Sequence, residues 1–158
     1  MAKAMKTEVF EPVISRFCLM EVAIHFRDYQ ISRLLVKDGF GYRQFSRKRK
    51  EYTLPRRTEL GIRALVREFE QNNLFSVVTV TGWNEKAYSD IELYVEGYVD
   101  LVDAFHLQAA VTAGCDYLVT GDEEFKQRVD KMVSIGKIRI PTKMIYLRDF
   151  LRLPEITQ

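Results

Sequence analysis

Four carboxylates in the chain stand where metal chemistry could be done. Asp103 falls in the first turn of a helix predicted from Leu101 to Ala113, which is apolar nearly all round. Such a helix is expected to be buried, and a buried carboxylate is costly unless a donor or cation pairs with it. Asp122 follows the predicted strand Tyr117–Thr120 by two residues, at the carboxyl edge where open parallel sheets bind ligands. Glu124 lies two residues further on, and Glu21 sits in the first turns of an earlier helix. Each has a plain structural alternative: a helix cap or dipole partner for Asp103 and Asp122, first-turn charge for Glu124, a solvated surface acid for Glu21. If they converge, mutual repulsion raises their pKa values unless a divalent cation lies between them. An oxygen-only donor set favours Mg²⁺ or Mn²⁺ over Zn²⁺.

The other reactive types are sparse. His25 lies four residues after Glu21, a spacing a metal can bridge, although a surface pair is the commoner meaning. His106, three residues after Asp103, reads as a core histidine or a base. Cys18 and Cys115 are the only cysteines, which excludes a disulfide framework and a cysteine zinc site. No phosphate-cradling glycine loop and no serine-nucleophile elbow is present. No stretch approaches the ~20 apolar residues of a membrane span, and the first residues lack an apolar signal core. A cytoplasmic, reducing location is expected.

Charge is segregated. The 158 residues hold 24 Lys and Arg against 22 Asp and Glu. Between Tyr42 and Arg57 the basic residues are Arg43, Arg47, Lys48, Arg49, Lys50, Arg56 and Arg57, opposed only by Glu51. From Trp83 to Glu124 there are ten acidic residues and one lysine. A basic arm attracts polyanions and releases their counterions, whereas an acidic body repels them until cations neutralise it. Tyr42, Phe45 and Tyr52 would be available for base stacking.

The elements that must position these residues alternate. A short strand within Pro12–Cys18 leads into a helix with Leu19, Val22, Ala23 and Phe26 on one face. The basic stretch reads as a loop or loose helical arm, and Thr58 as the cap of a following helix striped with Ile62, Leu65, Val66 and Phe69. Phe75–Thr81 is a β-branched strand. Asn84 caps a helix closing near Gly97, with Ala87, Ile91, Tyr94 and Val95 on one face. The helix bearing Asp103, the strand Tyr117–Thr120 and a helix opening at Asp122 follow. Lys137–Ile140 and Lys143–Tyr146 are alternative last strands. The pattern predicts one domain over residues 1–158, α/β with a mainly parallel sheet.

Asp103-Ala-Phe-His106, followed by Gly114-Cys115-Asp116 and Thr120-Gly-Asp122-Glu-Glu-Phe125, closely resembles the C-terminal half of PIN-domain proteins. Val13-Ile-Ser15 through Glu21-Val22 is similar to that family's second strand and the glutamate-bearing helix after it. The likeness covers about residues 12–30 and 74–153, with the basic arm, about 39–60, as an insertion.

The resemblance implies a three-layer sandwich with a central parallel sheet, and Mg²⁺- or Mn²⁺-dependent cleavage of single-stranded or structured RNA. Many members are toxins of toxin–antitoxin pairs, so a protein antitoxin or regulatory partner is implied. By position, Glu21, Asp103 and Asp122 would be catalytic metal ligands, Glu124 a further acidic ligand, and Thr120 and His106 would line the site. The basic residues from Arg43 to Arg57 would hold RNA. In one respect the chain departs from the family: its first strand ends in an aspartate ligand, and here no aspartate precedes Asp28. The expectation is that this strand and its aspartate are missing. An open sheet edge must be paired or covered, which a homo-oligomer would do. The alternative is a degenerate member that binds RNA or protein without cutting.

Overall fold

The computed structural model describes residues 10–71, 76–78 and 83–154. Its contacts divide the chain into two compact units, Met1–Arg16 with Leu74–Gln158, and Phe17–Asn73. The first is α/β and the second all-helical, and no helix among the described residues is long and apolar enough to cross a membrane.

In the α/β unit, strand β1 (Val13–Ser15) pairs in parallel with β2 (Ser76–Val78), Ile14 opposite Val77. Strand β3 (Tyr117–Thr120) pairs in parallel with β4 (Lys143–Tyr146), Thr120 opposite Tyr146. Parallel strands need long crossovers: β3 reaches β4 through α6 (Glu123–Ser134), and β1 reaches β2 through the helical segment 16–71, while α4 (Glu85–Glu96) and α5 (Leu101–Thr112) link β2 to β3 and a short α7 (Leu147–Phe150) follows β4. The described strands form two separate parallel pairs. Of the strand expected over Phe75–Thr81, residues 76–78 are described and extended, and the remainder lies outside the described residues. Lys137–Ile140, one of the two candidate last strands, is irregular, and β4 is the other. Ile138 there is a buried plug rather than a strand residue.

The core of this unit joins Ile91 and Tyr94 of α4, Val99 of the turn, Ala104 and Leu107 of α5, Phe125, Val129 and Met132 of α6, Ile138, and Met144 of β4. Each fully buried aliphatic side chain contributes about 1.5–3 kcal/mol relative to exposure. Asn84 caps α4, its Oδ1 accepting from the Ala87 N–H at 3.0 Å. Gly97 closes the helix, donating to the carbonyls of Leu93 and Tyr94 at 3.1 and 2.9 Å. A Cβ at Gly97 would collide with the Met132 side chain, so the α4–α5 turn lies directly on α6. On α5 the expectation of burial all round is corrected: Leu101 and Val102 are exposed. They precede the turn that reaches the core, and only Ala104, Leu107 and Gln108 through Ala110 are buried.

The helical unit comprises α1 (Arg16–Lys37), α2 (Tyr42–Glu51) and α3 (Arg56–Gln71). Arg16 to Cys18, expected in the strand, already belong to α1. Of the stripe expected at its start, Leu19 is buried but Phe26 is exposed. The small core uses Ile31 and Leu35, one turn apart on α1, with Leu54 and the flanking Phe40, Phe45, Tyr52 and Ile62. The basic arm is a regular helix. Thr58 does not cap α3: the helix begins two residues earlier, and Thr58 and Glu59 donate their N–H groups to the Pro55 carbonyl at 2.8 and 3.2 Å. Proline fixes the backbone ahead of the first turn, which displaces the start from Thr58.

Candidate active site

Two carboxylates of the α/β unit flank one core. Ala104, the residue after Asp103, and Phe125, three residues after Asp122, are buried in the same apolar cluster. The connection from α5 to β3 reverses the chain, and α5 packs against β3. The start of α5 and the end of β3 therefore face the same edge of this layer, the edge at which α6 begins. Both acids stand at helix N-termini, where the dipole favours negative charge.

Their local roles differ. Asp100, not Asp103, caps α5: its Oδ1 accepts from the Val102 N–H at 2.9 Å. Asp103 is left in the first turn, half-buried and engaged with neighbouring groups. Asp122 does cap its helix, Oδ1 accepting from the Phe125 N–H at 2.9 Å. That bond uses one of the two carboxylate oxygens of an exposed residue. Thr120 orients the turn, its Oγ1 accepting from the Asp122 N–H at 3.0 Å. Thr120 thus sets the direction in which the Asp122 carboxylate leaves the strand.

Glu124 is exposed and paired with Arg128, one turn along α6. The same guanidinium donates to the Tyr98 carbonyl. Tyr98 is the one described non-glycine residue with a left-handed backbone, φ 67°, a conformation that costs a non-glycine residue of order 1–3 kcal/mol. Arg128 thus clamps the turn that delivers α5. Reading the sequence gives Arg128 no role and places Asp100 only near the start of α5. The signals were there: Glu124 and Arg128 at i, i+4, and Asp100-Leu-Val-Asp103 as a capping pattern.

His106 is half-buried on α5, one turn beyond Asp103 and on the same side of the helix, and it too is engaged with neighbours. Glu21 is half-buried on α1, in the helical unit, likewise engaged. The Cys115 thiol is pushed up from its ordinary pKa by burial and by the Asp116 charge, which keeps it protonated and a poor nucleophile. Cys18 and Cys115 are both half-buried and form no disulfide with each other.

Among the described residues no three His, Cys, Asp or Glu side chains cluster as a ready-made metal cage. The donors that do share an edge are carboxylate oxygens, which suit a hard cation. Mg²⁺ commonly takes only one or two carboxylates and keeps several waters. Asp103 and Asp122 fit that pattern.

The basic residues lie in the helical unit. Arg43, Arg47, Lys48, Arg49 and Lys50 are on α2, and Arg56 and Arg57 open α3. Arg49 pairs with Asp28 of α1 at 3.0 Å. Lys48 lies 3.8 Å from Glu51 and over the Phe40 ring at 5.6 Å. Two of the expected stacking aromatics are already used: Phe45 and Tyr52 cover the small core, and the Tyr52 hydroxyl donates to Asp38 at 2.9 Å. That bond, more than burial, raises the Tyr52 pKa. The Tyr42 side chain lies outside the described part of the structure.

A family model, the PIN domain, matches residues 2–131. The chain belongs to the PIN-domain family. Membership places it among nucleases that generally use divalent metal and bind RNA, on a scaffold of helices and short parallel strands. The matched span contains Glu21, Asp103, Asp122 and Glu124 and the whole basic helix. No curated protein and no solved structure gives a match.

Proposed function

We propose that this PIN-domain chain is a Mg²⁺- or Mn²⁺-dependent endoribonuclease whose ligands include Asp103 and Asp122. The observation that supports it is the pair of aspartates at two helix N-termini around one core, within a matched PIN domain. Glu21 is the third acid assigned by resemblance, and Glu124 joins only by releasing Arg128. The cation, when bound, would lower the pKa of a bound water and stabilise charge at the scissile phosphate. Asp103 and Asp122 hold negative charge at the edge, Thr120 fixes the Asp122 turn, and His106 lines the site one turn along α5. Until a cation is held there, their charge repels a phosphodiester. The two parallel pairs belong, in this reading, to one central sheet of a three-layer sandwich. The biological setting is a cytoplasmic toxin with a protein antitoxin, acting as a homo-oligomer.

The test is cleavage of labelled single-stranded RNA in Mn²⁺ by Asp103→Asn and Asp122→Asn. Asparagine caps helices as well as aspartate does, so D122N keeps the Phe125 bond while losing charge. Loss of product with an unchanged melting curve is the expected result. Wild-type rates in both variants would sink the proposal. A second reading, a member that binds RNA without cutting, is favoured by the finding that, among the described residues, no three His, Cys, Asp or Glu side chains cluster. It predicts RNA binding with no product at any Mn²⁺ concentration.

A further inference from the structure

We infer that the outward face of α2 is a phosphate-binding stripe for single-stranded RNA formed by Arg43, Arg47 and Lys50, and that Lys48 and Arg49 of the same basic run are internal struts. At 100° per residue, Arg43, Arg47 and Lys50 fall within about 60° of one another around the helix axis. Phe45, on the opposite side, covers the small core, and Lys48 and Arg49 flank it within about 60°. Burial follows this geometry: Arg43, Arg47 and Lys50 are exposed, whereas Phe45, Lys48 and Arg49 are half-buried.

The partners divide the same way. Arg49 holds Asp28 of α1 at 3.0 Å, and Lys48 is shared between Glu51 and the Phe40 ring. Arg43 and Lys50 have no carboxylate within 4.0 Å among the described residues. Arg47 reaches Glu51 only at 3.8 Å, with its side chain 86% exposed, a pair a phosphate readily displaces. Along the axis the three cations span about 10.5 Å, in steps of about 6 and 4.5 Å. Three long cationic side chains so spaced can follow successive phosphates of one strand. Because α2 is already helical and braced by Arg49, the stripe is ordered before it meets its ligand, which lowers the entropic cost of binding. The choice of RNA as the polyanion rests on the ribonuclease reading; the stripe itself rests on the helix.

The test is the salt dependence of binding of a short fluorescent oligouridylate, followed by anisotropy with metal chelated. Each phosphate contact to a single strand adds about 0.7 to the slope of log K against log salt, so Arg43→Gln/Arg47→Gln/Lys50→Gln should flatten it by about 2, roughly 20-fold in affinity between about 50 and 200 mM salt. Arg49→Gln should leave the slope in place and lower the melting temperature. Asp28→Asn, which breaks the same pair without removing a cation, should do likewise. An unchanged slope in the triple variant overturns the stripe, as does equal flattening by Arg49→Gln alone. A wild type that cuts RNA while the triple variant keeps its slope contradicts the stripe and spares the ribonuclease. A flattened slope without cleavage in Mn²⁺ does the reverse.

Discussion

If the chain cleaves RNA as proposed, its two units divide the labour that cleaving a polyanion requires. Phe17–Asn73 carries twelve basic and seven acidic residues, and the rest of the chain twelve and fifteen. Among the described residues, the buried cluster of the helical unit has three members and that of the α/β unit ten. Holding a cation needs carboxylates fixed to within a fraction of an ångström, and these sit on capped helices over the larger core. Holding a phosphate backbone needs charge at roughly the right spacing on flexible side chains, which a small helical unit can provide.

The largest expected effect that could break this contrast is in catalysis. Asp103→Asn and Asp122→Asn should each lower RNA cleavage by more than ~100-fold, since even residues behind metal ligands typically cost 10–100-fold. Neutralising the α2 stripe should instead weaken binding at low salt and leave the rate on saturating RNA close to wild type. Equal loss of rate from both sets would erase the distinction between the units.

Stability sharpens the contrast next. Leu107, fully buried in the larger core, should cost about 2–5 kcal/mol on replacement by alanine, read by urea denaturation. Asp100→Ala removes a single cap bond and should cost about 1 kcal/mol. A cost for Asp100→Ala matching that of Leu107→Ala would mean that the turn held by Arg128, rather than the core, organises α5.

The smallest effect is in alkali. Burial, with help from the Asp90 charge, pushes the Tyr94 pKa up to about 12 from its ordinary 10.0. The folded state therefore holds this proton more tightly than the unfolded chain. The resulting stability is fully present below pH 10 and is lost as pH rises from there through about 12. Tyrosinate absorbance should report Tyr94 ionising together with unfolding of the α/β unit.

Much of this was legible in the residues because local chemistry dictated it. Asn84 and Gly97 bound α4 as their types require, and Thr120-Gly-Asp122 marks a strand end and a cap in one phrase. The family followed from the same stretch, and the matched PIN domain agrees with it. What escaped reading depended on contacts distant in sequence. Thr58 looked like a cap until Pro55 set the start of α3. Phe45 and Tyr52 looked free to stack on bases, but Ile31, Leu35 and Leu54 needed covering. The basic residues from Arg43 to Arg57 read as one cluster, whereas helical phase and the Asp28 partner separate the five on α2 into stripe and struts. Glu124 read as a ligand in waiting, yet Arg128, itself tied to the Tyr98 carbonyl, holds its carboxylate. The expected loss of a first strand concerns residues 1–11, of which 1–9 lie outside the described part of the structure.

The most direct measurement is a calorimetric titration of Mn²⁺ into the wild type and into Asp103→Asn/Asp122→Asn. The account predicts saturable binding to the wild type and its loss in the double variant, with both proteins melting at similar temperatures. Undiminished Mn²⁺ affinity in the double variant would contradict it.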